Sequence, residues 1–435
     1  MDTPELESHV RHALALGKFW LSSDPRPRKK IDFQASSGTG VSDVQFLPGH
    51  DNRWLATVSK GIWSMISCWD IGSSSDQSAN VPARKVADWC PKGAIFSGFV
   101  VNSDPNSDGN VATSVTTGGG ASKSIEILSI SGRDGERPTF HSICNIATTF
   151  RPINMEGNII TFSDDSSDTV VMNWKANTIA LLRSTEDSSD QHFQYNRCLQ
   201  VVFAYKSILI VRARSIELFP EPELRSSDGQ FVTHHPIAYH SFGWVDGVSV
   251  SPQLHCSASG IPDPHEALSI LVRAESDNPW SSDVHKLELY VLHPNFEYVD
   301  SAAAPISPYL FPPVHSTLSS PSVRGFLRCT DIILGQYGTA IWIQPRPSRG
   351  PDLTFFDVHS SETQAPERAS SRESLAAAVF AGPLQRNHAK LNLGARMLWT
   401  QTVDNSHWTA LDYDEEIGRI ALGSNQGVVT VLELA

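Results

Sequence analysis

The amino-acid sequence predicts an all-β protein: a seven-bladed β-propeller, preceded by one helix and closed by pairing of its two ends. Three observations carry the prediction. From Ile31 onward the apolar residues recur with a period of two, the spacing of half-buried strands. A strand of one flavour returns seven times along the chain. Its last copy ends the chain one strand short of a four-stranded blade.

The helix comes first. Asp2 or Thr3 can cap it, Pro4 suits its first turn, and Glu5 and Glu7 suit the positive end of its dipole. Leu6, Val10, Ala13, Leu14, Gly17 and Leu21 form one apolar stripe that calls for a cover. Asp24-Pro25 ends the helix, because the residue before a proline is pushed out of the helical region. Residues 1–23 are therefore read as an amphipathic connecting helix and residues 24–435 as a single propeller domain.

The recurrent strand occupies residues 64–71, 124–130, 169–174, 215–219, 286–291, 339–343 and 428–434. Ser-, Asp- and Pro-rich stretches at 72–80, 184–190, 226–230, 276–279 and 345–374 read as insertions between copies. Removing them leaves a unit of roughly 40 to 45 residues, the length of a four-stranded blade. Alternating segments precede the copies, at 41–47 and 54–59, then 110–117, 157–163, 208–212, 267–274 and 331–334. Identity among the units is weak, so six to eight blades fit the pattern.

At the end of the chain, residues 408–413 alternate, Asp414-Glu415-Glu416 make an acidic turn, and 419–423 form the next strand. Ser424-Asn425-Gln426-Gly427 supplies a hairpin turn into the last strand. Lys30-Ile31-Asp32-Phe33 is placed to add the missing fourth strand. A ring sealed in this way has no free sheet edge there.

Composition sets the class. The chain has 435 residues, 40% hydrophobic and 19% charged, with a formal net charge of -13. Such acidity opposes phosphate backbones and argues against nucleic acid as partner. The basic run Arg26-Pro27-Arg28-Lys29-Lys30 reads either as a nuclear-localisation or anion contact, or as the solvated entrance to a strand. No apolar run approaches a membrane span, and no signal-peptide pattern opens the chain. Cys68, Cys90, Cys144, Cys198, Cys256 and Cys329 include no close pair, which excludes a zinc site of Cys-x-x-Cys type and suits a reducing compartment. A cytoplasmic or nuclear monomer is expected.

Leu422-Gly423-Ser424-Asn425-Gln426-Gly427-Val428-Val429-Thr430-Val431 resembles the strand-turn-strand of WD-type repeats, and Trp69-Asp70 matches their dipeptide. A wider likeness runs through 46–49, 54–63, 333–345, 377–384 and 408–434. These segments are similar to the propeller region that follows the F-box in proteins of mushroom-forming fungi. The resemblance implies a protein-interaction scaffold, and substrate recognition for an SCF-type ubiquitin ligase. It also makes the first helix the connecting segment after an F-box, without the F-box itself.

Gly118-Gly119-Gly120 lacks the Lys-Ser/Thr and helix of a phosphate loop, and no Gly-x-Ser-x-Gly elbow occurs. His234-His235 and His240 invite a metal reading, but neighbours on a strand point to opposite faces. Asp164-Asp165, Glu186-Asp187 and Asp414-Glu415-Glu416 lie among turn formers. No catalytic, cofactor-binding or metal residues are assigned, and the chain is read as a non-enzyme. The alternative is a propeller hydrolase with a metal or acid site at the channel mouth. Trp54, Trp63, Trp69, Trp174, Trp342 and Trp408 are expected to pack between blades. Trp244 and Trp280 read as loop residues and are the candidate partner anchors.

Overall fold

Alternation along each strand sends successive side chains to opposite faces of a sheet, and in this chain both faces find a neighbouring sheet. The computed structural model describes residues 3–49, 53–72, 82–120, 122–132, 137–164, 167–184, 196–226, 232–253, 265–274, 284–299, 306–323, 327–345, 373–380, 395–401 and 406–435. Their strands make seven sheets, each with four antiparallel strands, and six of these run in chain order from the channel outward.

Blade one comprises Val41–Leu47, Trp54–Lys60, Ser64–Asp70 and Arg84–Trp89. Blade two comprises Ile95–Val101, Val111–Thr117, Ser122–Ser131 and Thr139–Ala147. Blade three comprises Arg151–Glu156, Ile159–Ser163, Asp168–Asn173 and Thr178–Arg183. Blade four comprises Cys198–Ala204, Ser207–Arg212, Ser215–Pro220 and Ala238–Ser241. Blade five comprises Val245–Pro252, Leu268–Ala274, Val284–Leu292 and Val314–Val323. Blade six comprises Ile332–Leu334, Thr339–Pro345, Glu373–Val379 and Arg396–Thr400.

Blade seven is shared between the two ends. Trp408–Asp414, Arg419–Ser424 and Val428–Glu433 take Lys29–Gln34 as their outer strand. The pairing is antiparallel and unbroken, from Lys29 opposite Glu433 to Gln34 opposite Val428. Closure occurs where the sequence placed it. The basic run is the entrance to this strand: Lys30 pairs with Asp32 at 2.7 Å and Lys29 lies 3.9 Å from Glu433.

Seven apolar clusters fill the seven seams between blades. The seam of blades seven and one, for example, joins Ile31, Ala421, Val429 and Val431 to Val41, Val44, Leu55 and Trp69. Middle strands bury both faces, so Ser207–Arg212, Glu373–Val379 and Arg419–Ser424 are buried throughout. This explains one misplacement. Residues 339–343 are the second strand of blade six, not its third. A doubly buried second strand reads like a third one, and the alanine-rich Glu373–Val379 carries a weak strand signature.

Buried arginines staple some seams. Arg212 pairs with Glu217 at 3.1 Å inside blade four and donates to the Ser167 carbonyl of blade three at 2.7 Å. Arg273 does the same with Asp246 and the Thr330 carbonyl, and Arg419 with Glu433 and the Gly72 carbonyl. Blade three gains extra cover. Arg225–Ser226 and Thr233–His234, from the connection leading to the outer strand of blade four, pair with its outer strand.

The helix Thr3–Leu21 docks over blades six and seven with a face other than the expected one. Leu16, Phe19 and Trp20 are buried in that seam, and His12 bonds the Ile417 carbonyl at 3.0 Å. Leu6, Val10, Leu14 and Leu21 stay exposed. Leu16, Phe19 and Trp20 also obey i, i+3, i+4 spacing, and two aromatic rings bury more area than the aliphatic stripe.

Candidate interaction surfaces and the central channel

The ring has two faces. One carries the links from blade to blade and the turns from second to third strand; it is called the entry face. The return face carries the turns from first to second strand and the connections from third to fourth.

The first strands line the channel, and six of them carry a bulge near the entry face. The shifts fall at Val41/Asp43, Phe96/Phe99, Pro152/Asn154, Cys198/Gln200, Val245/Gly247 and Trp408/Ala410. An extra residue re-aims the side chains beyond it. Polar side chains of these strands reach the backbone of the next blade. Gln45 accepts from Val101 N at 3.0 Å, Gln200 from Val250 N at 3.0 Å, Ser249 from Leu334 N at 2.9 Å and Asp412 from Phe46 N at 2.7 Å. Asn154 donates to the Val201 carbonyl at 3.0 Å.

A cavity of about 490 Å³ in the entry half of the channel is lined by Asp43, Arg151, Arg197, Asp246, Asp331 and Asp412 among others. Burial pushes the Asp412 carboxyl up to about 7, with Asp414 and Asp331 adding repulsion; the N–H groups of Phe46 and Tyr413 pull it back in part. Asp331 is raised for the same first reason, with Asp43 adding to it. At the return mouth the acidic turn is a clasp. Glu415 accepts from Tyr337 N at 2.9 Å and Thr339 N at 3.2 Å, Gln336 donates to Glu416 at 2.8 Å, and Asp414 accepts from Ile417 N at 3.1 Å. Glu415 and Asp414 thus hold backbone. Among the described residues no group of three or more His, Cys, Asp or Glu is placed to hold a metal.

The histidines do not converge. His234 lies in the strap on blade three and His240 on the outer strand of blade four, its ring 5.0 Å from Phe242. Asp164 accepts from Asp168 N across a turn; Asp165, Glu186 and Asp187 lie outside the described residues.

Trp244 occupies the link from blade four to blade five on the entry face. It is half-buried, with the Arg214 guanidinium 5.0 Å from its ring centre. Trp280 lies outside the described residues. Trp69, Trp174, Trp342 and Trp408 are buried at seams, and Trp54 is half-buried. Trp63 departs from expectation. It belongs to the turn after Lys60, and is 45% exposed beside Ile62 at 91%. The two border an entry-face groove of about 280 Å³ with Ser36, Thr39, Met65 and Cys90. Gly61, following an alternating strand, was the available signal for that turn.

This architecture defines a WD40-like, seven-bladed β-propeller with a polar, hydrogen-bonded channel. Among solved structures it is similar to the WD40 domain of Neurospora crassa Pan2, with a TM-score of 0.50 and 9% sequence identity. The likeness covers 94% of this chain and 96% of that one. No protein-family model matches the sequence, and no curated protein matches it.

Proposed function

We propose that the protein is an interaction scaffold that holds partner proteins on its entry face. The observation that carries this reading is the pairing of exposed Ile62 and Trp63 with a groove, on a ring whose seams are filled and stapled. Exposed aromatic anchors on rigid loops are the usual hot spots of protein recognition. Asp412, Asp414 and Glu415 are spent on backbone N–H groups and Asp246 on Arg273, which gives the hydrolase alternative no comparable support. A photo-crosslinker placed at position 62 is expected to yield discrete protein adducts in cells. Uniform labelling, or none, removes the reading.

The finer version is substrate recognition for an SCF-type ubiquitin ligase, supported by the likeness of residues 46–63, 333–345, 377–384 and 408–434 to propellers that follow an F-box. Purification from fungal extract tests it: adaptor and cullin accompany the chain, or the ligase assignment falls.

A further inference from the structure

A second surface, on the return face of blade five, carries its own chemistry. There, residues 293–295 and 307–310 of the connection from third to fourth strand are tied together. Asn295 N donates to Pro308 O at 2.8 Å, Leu310 N to His293 O at 2.9 Å, and Asn295 Nδ2 to Ser307 O at 2.9 Å. Pro294 and Tyr309 form a bridge. The result is a tied platform. It nevertheless presents Phe296, Val299, Ile306 and Leu310 to solvent, Phe296 at 86% exposure. Clustered exposed apolar side chains of this kind mark contact sites.

Aromatic rings support the platform. Tyr205, from the neighbouring blade, stacks on His265 at 4.6 Å; Tyr298 lies 6.2 Å from Tyr205, and Phe296 lies 6.5 Å from His265. His265 Nε2 donates to Pro308 O at 2.6 Å, which fixes the ring. Next to His265, the Oε1 atom of Glu266 is buried with no hydrogen-bond partner. Glu266 also adds to the rise of the buried Tyr309 hydroxyl, behind the larger effect of burial itself. Among the described residues neither Glu266 nor the exposed Glu297 has a cationic partner, whereas Glu221 and Glu223 on blade four are matched by Lys206 and Arg225. π-faces and uncompensated carboxylates both favour a cation.

We infer that this surface docks a basic segment of a partner protein, in which an aliphatic or aromatic anchor lies beside lysine or arginine. The anchor covers Phe296, Val299 and Leu310, and the cation meets the Tyr205–His265 rings and Glu266. A second copy of the chain is disfavoured by charge, since each carries a formal -13. The inference rests on the scaffold reading but uses the opposite face from Trp63.

Three fluorescein-labelled nine-residue peptides test it by anisotropy: one alternating lysine or arginine with leucine or phenylalanine, one with glutamate in place of the bases, and one with serine in place of the apolar residues. Only the first is expected to bind. Phe296→Ala, at an exposed position, and the isosteric Glu266→Gln are each expected to weaken it about tenfold at unchanged melting temperature; Trp63→Ala leaves it unchanged. Binding by the glutamate or serine peptide as strong as by the first, binding by none, or indifference to both substitutions overturns the inference. Loss on Trp63→Ala alone moves the peptide to the entry face, which overturns it too and leaves the scaffold reading standing.

Discussion

Replacing Asp412 by asparagine isolates one titrating group at the seam where the two ends of the chain meet. Its carboxylate accepts the Phe46 N–H at 2.7 Å across that seam, and burial lifts it from an ordinary value near 4 to about 7. The folded protein thus keeps this proton up to about pH 7, whereas the unfolded chain releases it near pH 4. Stability from this group is full below pH 4, falls as pH rises, and is gone above about pH 7. A rise from near 4 to about 7 corresponds to about 4 kcal/mol. The side chain is part-exposed to channel water, so roughly half of that is expected. An asparagine does not titrate, and its carbonyl can still accept from Phe46. Urea midpoints at pH 3 and 8 provide the assay. Asp412→Asn is expected to match the parent at pH 3 and to exceed it by about 2 kcal/mol at pH 8. Other ionisations cancel in the difference. A difference independent of pH, or a variant weaker at pH 8, refutes the reasoning, because hydrogen bonding to the ionised form would then outweigh burial.

Three further outcomes follow from the seams. Arg212→Ala leaves Glu217 buried without its partner and is expected to cost about 3 to 5 kcal/mol, read from urea unfolding; the double change Arg212→Met with Glu217→Leu recovers much of it. Trp20→Ala removes the largest docked side chain of the helix and is expected to cost about 3 to 5 kcal/mol, with faster proteolysis ahead of Lys29. Ile31→Asp puts a charge into the seam of blades seven and one, and hydrogen exchange should rise first in Val428–Glu433.

Legibility varied with the physics behind each element. Strand pairing at the closure was readable because residues 408–434 supply three alternating strands and a hairpin turn, leaving one vacancy for Lys29–Gln34 to fill. Blade six was misread because Thr339–Pro345 and Glu373–Val379 are both buried on two faces, so alternation no longer tells second from third strand. The helix offered two apolar faces, and only the ring decides which one docks. Bulges such as Val41/Asp43 leave no mark in composition, so the channel lining was hidden. Trp63 continues the apolar pattern of the strand before it, although Gly61 has already turned the chain. The return-face platform joins Tyr205, His265 and Phe296 from three separate stretches, a juxtaposition that only the fold creates.

Lys29–Gln34 and its partner Val428–Glu433 are separated by roughly 400 residues, and bringing such distant segments together costs about 5 kcal/mol in chain entropy. A ribosome makes the first of these strands long before the second exists. For most of translation the growing arc therefore carries an unmated rim, and the latch engages only after the other blades have stacked. Molecules interrupted before that moment would remain open crescents with an adhesive border.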